Sequence, residues 1–395
     1  MPNQRSFLIV ACAIALVSGP LLGQAGAAGT AANLGQRVII ELKSDGGSQQ
    51  AVQNVLREER VQIVHSLSGD DAVVVTLSQR QQERLEQADL VQSVYPDVEV
   101  AALRHKDQGS NGGFQAIPWN ITAVQAPPAW PTTEALGVRV AVIDTGIDLD
   151  HPDLQGSIAG GTNIVDPRRS ADDDAGHGSH VAGIIAAGHN AIGVVGVAPR
   201  ASLYAVKVLD RRGRGYLSDV IAGLEWAIAQ DIDVINLSLG TSVDIPLLHE
   251  AVQDARAAGI LVVAAAGNDG GAVSYPAAYD EVMAVGMTDD RNEVSRYSAR
   301  GAALDLVAPG VKVESTYQRG RYKRMTGTSM AAPHVTGLAA LLIAQRTACD
   351  TNGSGTCDPT EVQRRLENTA TDLAPAGRDD VAGYGLINAR AALGL

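Results

Sequence analysis

The sequence predicts an α/β architecture, a mainly parallel sheet with helices on both faces, preceded by a small α+β unit of ferredoxin-like order. Three observations lead there. From Val138 onward, strand candidates that are apolar throughout, rather than alternating, are separated by helical stretches, the pattern of a parallel sheet covered on both sides. The stretch from about Gln36 to Val100 instead reads β-α-β-β-α-β, the order of a split βαβ unit. Gly is abundant at 42 residues while aromatic residues make up 4 % of the chain, which suits tight turns and close backbone packing.

Length and charge set the outer limits. At 395 residues the chain is too long for a single ordinary core, so more than one unit is expected. A hydrophobic content of 45 % with 19 % charged residues is that of a globular protein. The net charge of −13 argues against a nucleic-acid partner, which would favour a basic face. No segment after the first residues has the uncharged apolar length of a transmembrane helix.

The elements follow in order. Met1 to Arg5 carries one positive charge, Phe7 to Val17 is apolar, and Gly19-Pro20 precedes Ala25-Gly26-Ala27. This is an export leader over residues 1–27, too short to anchor the chain stably in a bilayer. The expected protein is secreted and extracellular, with no membrane association after processing. In residues 28–104, strands are expected at Val38 to Leu42, Val61 to Leu67, Ala72 to Leu77 and Val91 to Val100. Helices are expected from Gln49 to Glu59 and from Ser78 to about Gln87. Residues 105–114 are polar and rich in Gly, a protease-sensitive linker. Residues 115–395 form the main unit, with strands at Val138 to Ile143, Ser202 to Val208, Val234 to Leu239, Leu261 to Ala266 and Val282 to Val285. Helices are expected from His177 to Ala187, from Asp219 to Gln230, and from Ser329 to about Ala344.

Three polar residues interrupt this pattern where chemistry is usually found. Asp144 ends the strand Val138 to Ile143, where a carboxylate can hold an imidazole in one tautomer. His177 stands between glycines at a helix start, in Gly176-His177-Gly178-Ser179-His180. Ser329 opens an apolar helix, whose unpaired N–H groups and positive dipole end face a nucleophile or an oxyanion. Each has a plain rival reading. Asp144-Thr145-Gly146 occurs in aspartic proteases, His177 and His180 are spaced as metal ligands, and a serine at a helix start is usually a cap.

Taken together, Val142-Ile143-Asp144-Thr145-Gly146-Ile147, His177-Gly178-Ser179-His180-Val181-Ala182-Gly183 and Gly327-Thr328-Ser329-Met330-Ala331-Ala332-Pro333-His334 resemble the subtilisin family of serine peptidases. The resemblance runs from about Gln115 to the end of the chain. It implies a subtilisin-like fold and a serine endopeptidase acting on proteins or peptides through an acyl-enzyme. Ser329 would be the nucleophile, His177 the general base and then acid, and Asp144 the orienting carboxylate. Asn268, in Gly267-Asn268-Asp269-Gly270, would supply the oxyanion donor, although an Asn there also suits an Asx-turn. Gly213, Gly215, Ser238, Leu239 and Gly240 match the family's two substrate-flanking segments, and Ser274 falls where its specificity pocket is floored. A small uncharged floor implies an apolar residue before the scissile bond. The α+β unit then corresponds to an inhibitory propeptide, with self-cleavage between about Leu103 and Phe114.

The resemblance also implies calcium. Gln115, Asp153 in His151-Pro152-Asp153-Leu154, Asn190, and the backbone oxygens of Gly188, Ile192 and Val194 match the family's tight site. A second loop, Asp350, Asn352, Ser354, Thr356, Asp358 and Glu361, fits the EF-hand spacing. Asp358 to Glu361 is equally a capping box with Pro359 at the first helical position. A bridge between Cys349 and Cys357 would explain the loop without metal, and two free thiols are the alternative. The competing functions are an inactive scaffold of the same fold and a protease selective for basic residues, for which Asp269 is the one hint. A dinucleotide enzyme is excluded, because no Gly-x-Gly-x-x-Gly turn follows Val138 to Asp144. A monomer is expected.

Overall fold

The computed structural model describes residues 35–43, 55–57, 61–67, 72–86, 91–103, 109–110 and 115–395. The expected leader and most of the expected Gln49 to Glu59 helix and of the 105–114 linker lie outside these. A seven-stranded parallel sheet forms the centre. Its strands run in the order Leu306–Pro309, Val282–Thr288, Leu261–Ala265, Val234–Leu237, Arg139–Asp144, Ser202–Lys207 and Ile158–Asn163. The five central strands are buried over most of their length, as their largely apolar sequences require. On one face pack the helices His177–Ala186 and Thr328–Ala344, and on the other Leu217–Ala229 and Pro246–Ala257. The expected α/β class is borne out.

The N-terminal unit is a four-stranded antiparallel sheet in the order Gln62–Leu67, Ala72–Leu77, Gln36–Leu42, Val91–Pro96, the ferredoxin-like arrangement. The helix Gln79–Glu86 follows Ser78, whose N–H and hydroxyl both donate to Gln81. Both faces of this sheet are apolar. Val38, Ile40, Val73 and Val75 form the unit's own core with Leu56 and Leu85. Ile39, Leu67, Ala72 and Val74 instead belong to a cluster shared with Leu217, Val220, Leu224 and Leu248 of the main unit.

Two expected strands are each divided. Val91 to Val100 breaks after Pro96, and Glu99–Ala102 joins a different, three-stranded sheet. The reason is Asp97 at the break, which is turned into the main unit to accept Ser218 N–H at 3.0 Å and its hydroxyl at 2.8 Å. Val234 to Leu239 ends at Leu237 in the central sheet, and Leu239–Gly240 turns out to the cleft rim. Local apolarity marks both stretches as extended and cannot say to which sheet each half belongs. Among the described residues, no helix is long and apolar enough to cross a membrane.

Candidate active site

The parallel strands deliver their C-terminal ends to one edge of the sheet, the usual ligand edge of such folds. Asp144 closes the strand Arg139–Asp144, and His177 opens the helix His177–Ala186. They meet because the chain between them is glycine-lined. A Cβ at Gly178 would lie 2.0 Å from Gly146 O and 3.2 Å from Asp144 Cβ, so only glycine allows this approach. His177 Nδ1 lies 2.7 and 2.9 Å from the two Asp144 carboxylate oxygens, with both residues fully buried. His177 Nε2 is buried with no hydrogen-bond partner.

Sequence reading missed the residues that hold this pair. Asp173 accepts from Thr145 Oγ1, the Ala175 and Gly176 N–H groups, and both the N–H and hydroxyl of Ser179. Burial pushes its carboxyl above the ordinary range against these donors. Thr145 Oγ1 in turn accepts Gly178 N–H at 2.9 Å. Lys207 Nζ, also buried, donates to Thr145 O at 2.6 Å. A run of three aspartates at 172–174 was the only signal. His180 is not arranged as a metal ligand beside His177. Its Nε2 faces the carbonyls of Val313 and Lys323, and burial pushes its imidazole down to about 3.

Ser329 lies in the first turn of Thr328–Ala344. Its Oγ is 2.9 Å from Ser238 O and 2.6 Å from Leu103 O, so the hydroxyl proton has two carbonyl acceptors. Asn268 follows the strand Leu261–Ala265, and its Oδ1 accepts from Thr328 N–H at 2.9 Å and Thr328 Oγ1 at 3.1 Å. These bonds fix the amide so that Nδ2 is its free end, buried and without an acceptor. Asp269, the hint of a basic-residue pocket, accepts the Gly271 N–H at 2.9 Å in its own turn.

Glu99–Ala102 fills the cleft as the middle strand of its sheet. It pairs antiparallel with Arg214–Tyr216 on one side, Gly215 opposite Val100, and with Leu239–Gly240 on the other, Gly240 opposite Ala101. Ala102 N–H donates to Gly213 O at 3.0 Å and Leu103 N–H to Ser238 O at 3.3 Å. A Cβ at Gly240 would meet Leu103 Cδ1 at 3.2 Å and Ser274 Cβ at 3.4 Å. Gly240 therefore leaves room for the Leu103 side chain beside Ser274.

Of the two loops expected to bind cations, the first gathers oxygen atoms. Gly188 O, Val194 O and Asn190 Oδ1 lie 2.7, 3.2 and 3.5 Å from Gln115 Nε2. Asp153 accepts from Asn190 Nδ2, Val194 N–H and Tyr322 O–H, and burial pushes its carboxyl up. Ile192 enters through its N–H, which donates to Asn190 Oδ1. The second loop turns its oxygens inward. Asp350 accepts the N–H groups of Gly353, Ser354 and Gly355, and Asn352 Oδ1 that of Ser354. Glu361 accepts from Thr351, Asn352 and Asp358, closing the capping box. Ser354 and Thr356 hydroxyls bond each other, and Cys349 and Cys357 are joined by a disulfide with Cα atoms 5.6 Å apart. Among the described residues, no group of three or more His, Cys, Asp or Glu side chains is arranged around a common metal position.

Over most of its length the chain is similar to known proteins. The Subtilase family model matches residues 136–385. An alkaline protease of Alkalihalobacillus alcalophilus is 42 % identical over 350 residues, covering 88 % of this chain and 86 % of the relative. M-protease of Shouchella clausii is 44 % identical over 337 residues, 85 % of this chain and 82 % of the relative. Subtilisin BL of Lederbergia lenta is 49 % identical over 280 residues, 70 % of this chain and 99 % of the relative. The chain belongs to the subtilase family and is a subtilisin-like serine endopeptidase.

Proposed function

We propose that Asp144, His177 and Ser329 are the catalytic triad of a secreted endopeptidase made as a self-inhibited, self-processing precursor. The observation that carries this reading is the seating of the Glu99–Ala102 strand, paired on both edges and ending with Leu103 O at 2.6 Å from Ser329 Oγ. An extended peptide bound as an added strand is how a protease of this kind presents a scissile bond. The bond cut is Leu103–Arg104, so residues 28–103 act as inhibitor and residues up to Leu103 remain in the cleft as product.

His177 donates Nδ1–H to Asp144, which leaves Nε2 as the base. It takes the Ser329 proton as Oγ attacks the carbonyl carbon, and returns it to the leaving amine as the acyl-enzyme forms. Water then repeats the sequence, with His177 again as base. The negative charge on the carbonyl oxygen is met by Asn268 Nδ2 and the Ser329 N–H. A free, pre-oriented donor in a buried site costs no reorganisation at that moment. Leu103 beside Ser274 and Gly240 supports selection of medium-sized apolar residues before the cut bond.

The first loop fits calcium. Its oxygens converge on one point that Gln115 fills with a donor nitrogen, and a hard cation favours the same oxygen set. Gln115, Asp153, Asn190 and the carbonyls of Gly188, Ile192 and Val194 would hold it. Calcium would tie the start of the main unit to the 188–194 loop and take no part in hydrolysis. In the second loop the Asp350 and Glu361 oxygens serve the loop's own N–H groups, and with the Cys349–Cys357 bridge these bonds close the loop without a cation.

Labelling with a serine-directed phosphonate, followed by peptide mapping, tests the nucleophile. Modification of Ser329 that disappears in His177→Ala is expected. Label on another serine would overturn the triad. N-terminal sequencing of the active form is expected to begin at Arg104 or, after trimming, no later than Gln115.

A further inference from the structure

The helix that carries Ser329 has a gap in its hydrogen-bond ladder. Pro333 lies inside Thr328–Ala344 and has no N–H, so the Ser329 carbonyl lacks the donor that position i+4 normally supplies. A hydroxyl from the link between the strands Val234–Leu237 and Leu239–Gly240 stands in that place. Ser238 Oγ is 3.0 Å from Ser329 O. Behind it, Asn236 Nδ2 lies 2.9 Å from Ser238 Oγ, and Thr336 Oγ1 lies 3.0 Å from Asn236 Oδ1. All four residues are fully buried.

The proton positions in this chain follow from its end. A carbonyl oxygen only accepts, so the Ser238 hydroxyl must donate to Ser329 O. Its oxygen then accepts, which requires an N–H of Asn236 to face it. Asn236 Oδ1 therefore faces Thr336, whose hydroxyl donates. The Thr336 hydroxyl also lies 3.2 Å from Ala332 O, so its one proton has two acceptors. A flip of the amide would turn its oxygen to Ser238 and draw the Ser238 proton away from the Ser329 carbonyl.

Ser238 also touches the reacting groups. Its carbonyl accepts Leu103 N–H and lies 2.9 Å from Ser329 Oγ. One residue thus grips the acyl side of the scissile bond through its backbone and the nucleophile's helix through its side chain. Asn236 is the polar member of the buried strand Val234–Leu237, which lies between the strand ending in Asp144 and the strand leading to Asn268. We propose that Asn236 and Thr336 are positioning residues for peptide hydrolysis, acting through the Ser238 hydroxyl on the Ser329 carbonyl. This rests on Ser329 being the nucleophile.

The test uses the processed enzyme, with active sites counted by the phosphonate so that kcat refers to folded sites only. Ser238→Ala and Thr336→Val are expected to lower kcat about tenfold, the size of one lost buried hydrogen bond, with KM nearly unchanged. Thr336→Ser keeps the donor and is expected to restore kcat. In Asn236→Asp the carboxyl can donate to Ser238 only when protonated, and burial raises its pKa. Its kcat relative to the parent enzyme is therefore expected to rise as pH falls, a response that packing alone would not produce. Parent-level kcat in both Ser238→Ala and Thr336→Val, or a loss confined to KM, would overturn the proposal. So would equal losses in Thr336→Val and Thr336→Ser. Should Asn236→Asp fail to mature, the Thr336 pair decides. Label on a serine other than Ser329 overturns the nucleophile itself, whereas label on Ser329 with unchanged kcat overturns only the positioning role.

Discussion

The N-terminal unit and the main unit are both built on apolar strands, but they bury them differently. The main sheet is closed on both faces by its own helices, whose residues form its two large clusters. The smaller sheet closes one face with Leu56 and Leu85 and leaves Ile39, Leu67 and Val74 to be covered by the main unit. Each such side chain contributes about 1.5–3 kcal/mol when removed from water. Around this patch lies a charged cluster, in which Arg37 pairs with Asp97 at 2.5 Å and with Asp219 at 3.1 Å. The difference teaches that the small unit is completed by docking, while the large one carries the chemistry within its own core. A unit completed only by docking fits the proposed role of an inhibitor that is discarded once it is cut free.

The sharpest way to separate the two roles is Asn268→Ala. It lies wholly in the main unit and touches only Thr328 through its oxygen. The expected outcome is a folded chain whose kcat falls about 100- to 1000-fold, the loss typical of an oxyanion donor in subtilisins. Steady-state kinetics on a peptide substrate and the rate of precursor loss on a gel should fall together. If both kept their parent values, Asn268 would have no part in the reaction.

Asp97→Ala breaks the comparison from the other side. Asp97 is buried and serves Arg37 as well as both donors of Ser218. Its removal takes from half-buried Arg37 one of its two carboxylate partners and leaves both Ser218 donors unmatched, a cost of about 1–3 kcal/mol. In the uncleavable Ser329→Ala chain, hydrogen exchange is expected to rise in Gln36–Leu42 and Ala72–Leu77 and to stay low in the central strands of the main sheet. Equal loosening of both units would show that the small one does not depend on docking.

Calcium removal should act on the main unit alone. A chelator is expected to lower its melting temperature by several degrees, and Asp153→Asn to abolish that response. Glu361→Gln should leave the response intact, because Glu361 serves the Thr351 and Asn352 N–H groups. A response lost in Glu361→Gln and kept in Asp153→Asn would exchange the two loops.

The smallest expected effects are those of pH on the main unit's stability. Burial pushes His180 and His334 down to about 3 from 6.5. As pH falls from 6.5 toward 3, the unfolded chain takes up protons that the folded chain refuses, and stability declines. Asp305 has the opposite sign. Burial pushes it up to about 7 from 3.8, so the folded chain holds a proton that the unfolded chain has released. That contribution is present at low pH and is lost as pH rises through about 7. Melting curves of the Ser329→Ala chain should therefore flatten above pH 4 in Asp305→Asn, while His334→Gln should reduce the acid-side loss. An unchanged profile in both variants would mean that neither group is titrating as its burial implies.

Much of the fold was legible because it is written in local patterns. Runs that are apolar throughout marked the central strands to within three residues, Val282–Thr288 running furthest past its expected end, and the α/β class followed. The three motifs around Asp144, His177 and Ser329 carried the family, which the known relatives bear out. Chain order alone did not reveal that Val91 to Val100 divides between two sheets, since both halves are extended and apolar. Nor did it reveal Asp173, whose partners Thr145 and Ser179 meet it only once the strand and helix are packed.

The sequence by itself determined which segments are strands and helices and which residue types stand at their ends, because periodicity, Gly and Pro act over a few residues. Only the tertiary structure decided what those residues do for one another. Ser329 and Leu103 are 226 residues apart in the chain, and Ser238 and Ser329 are 91 apart. The free end of the Asn268 amide and the orientation of the Asn236 amide are equally products of packing. A hydrogen bond's direction is set by every donor and acceptor buried around it, and those neighbours are chosen by the fold.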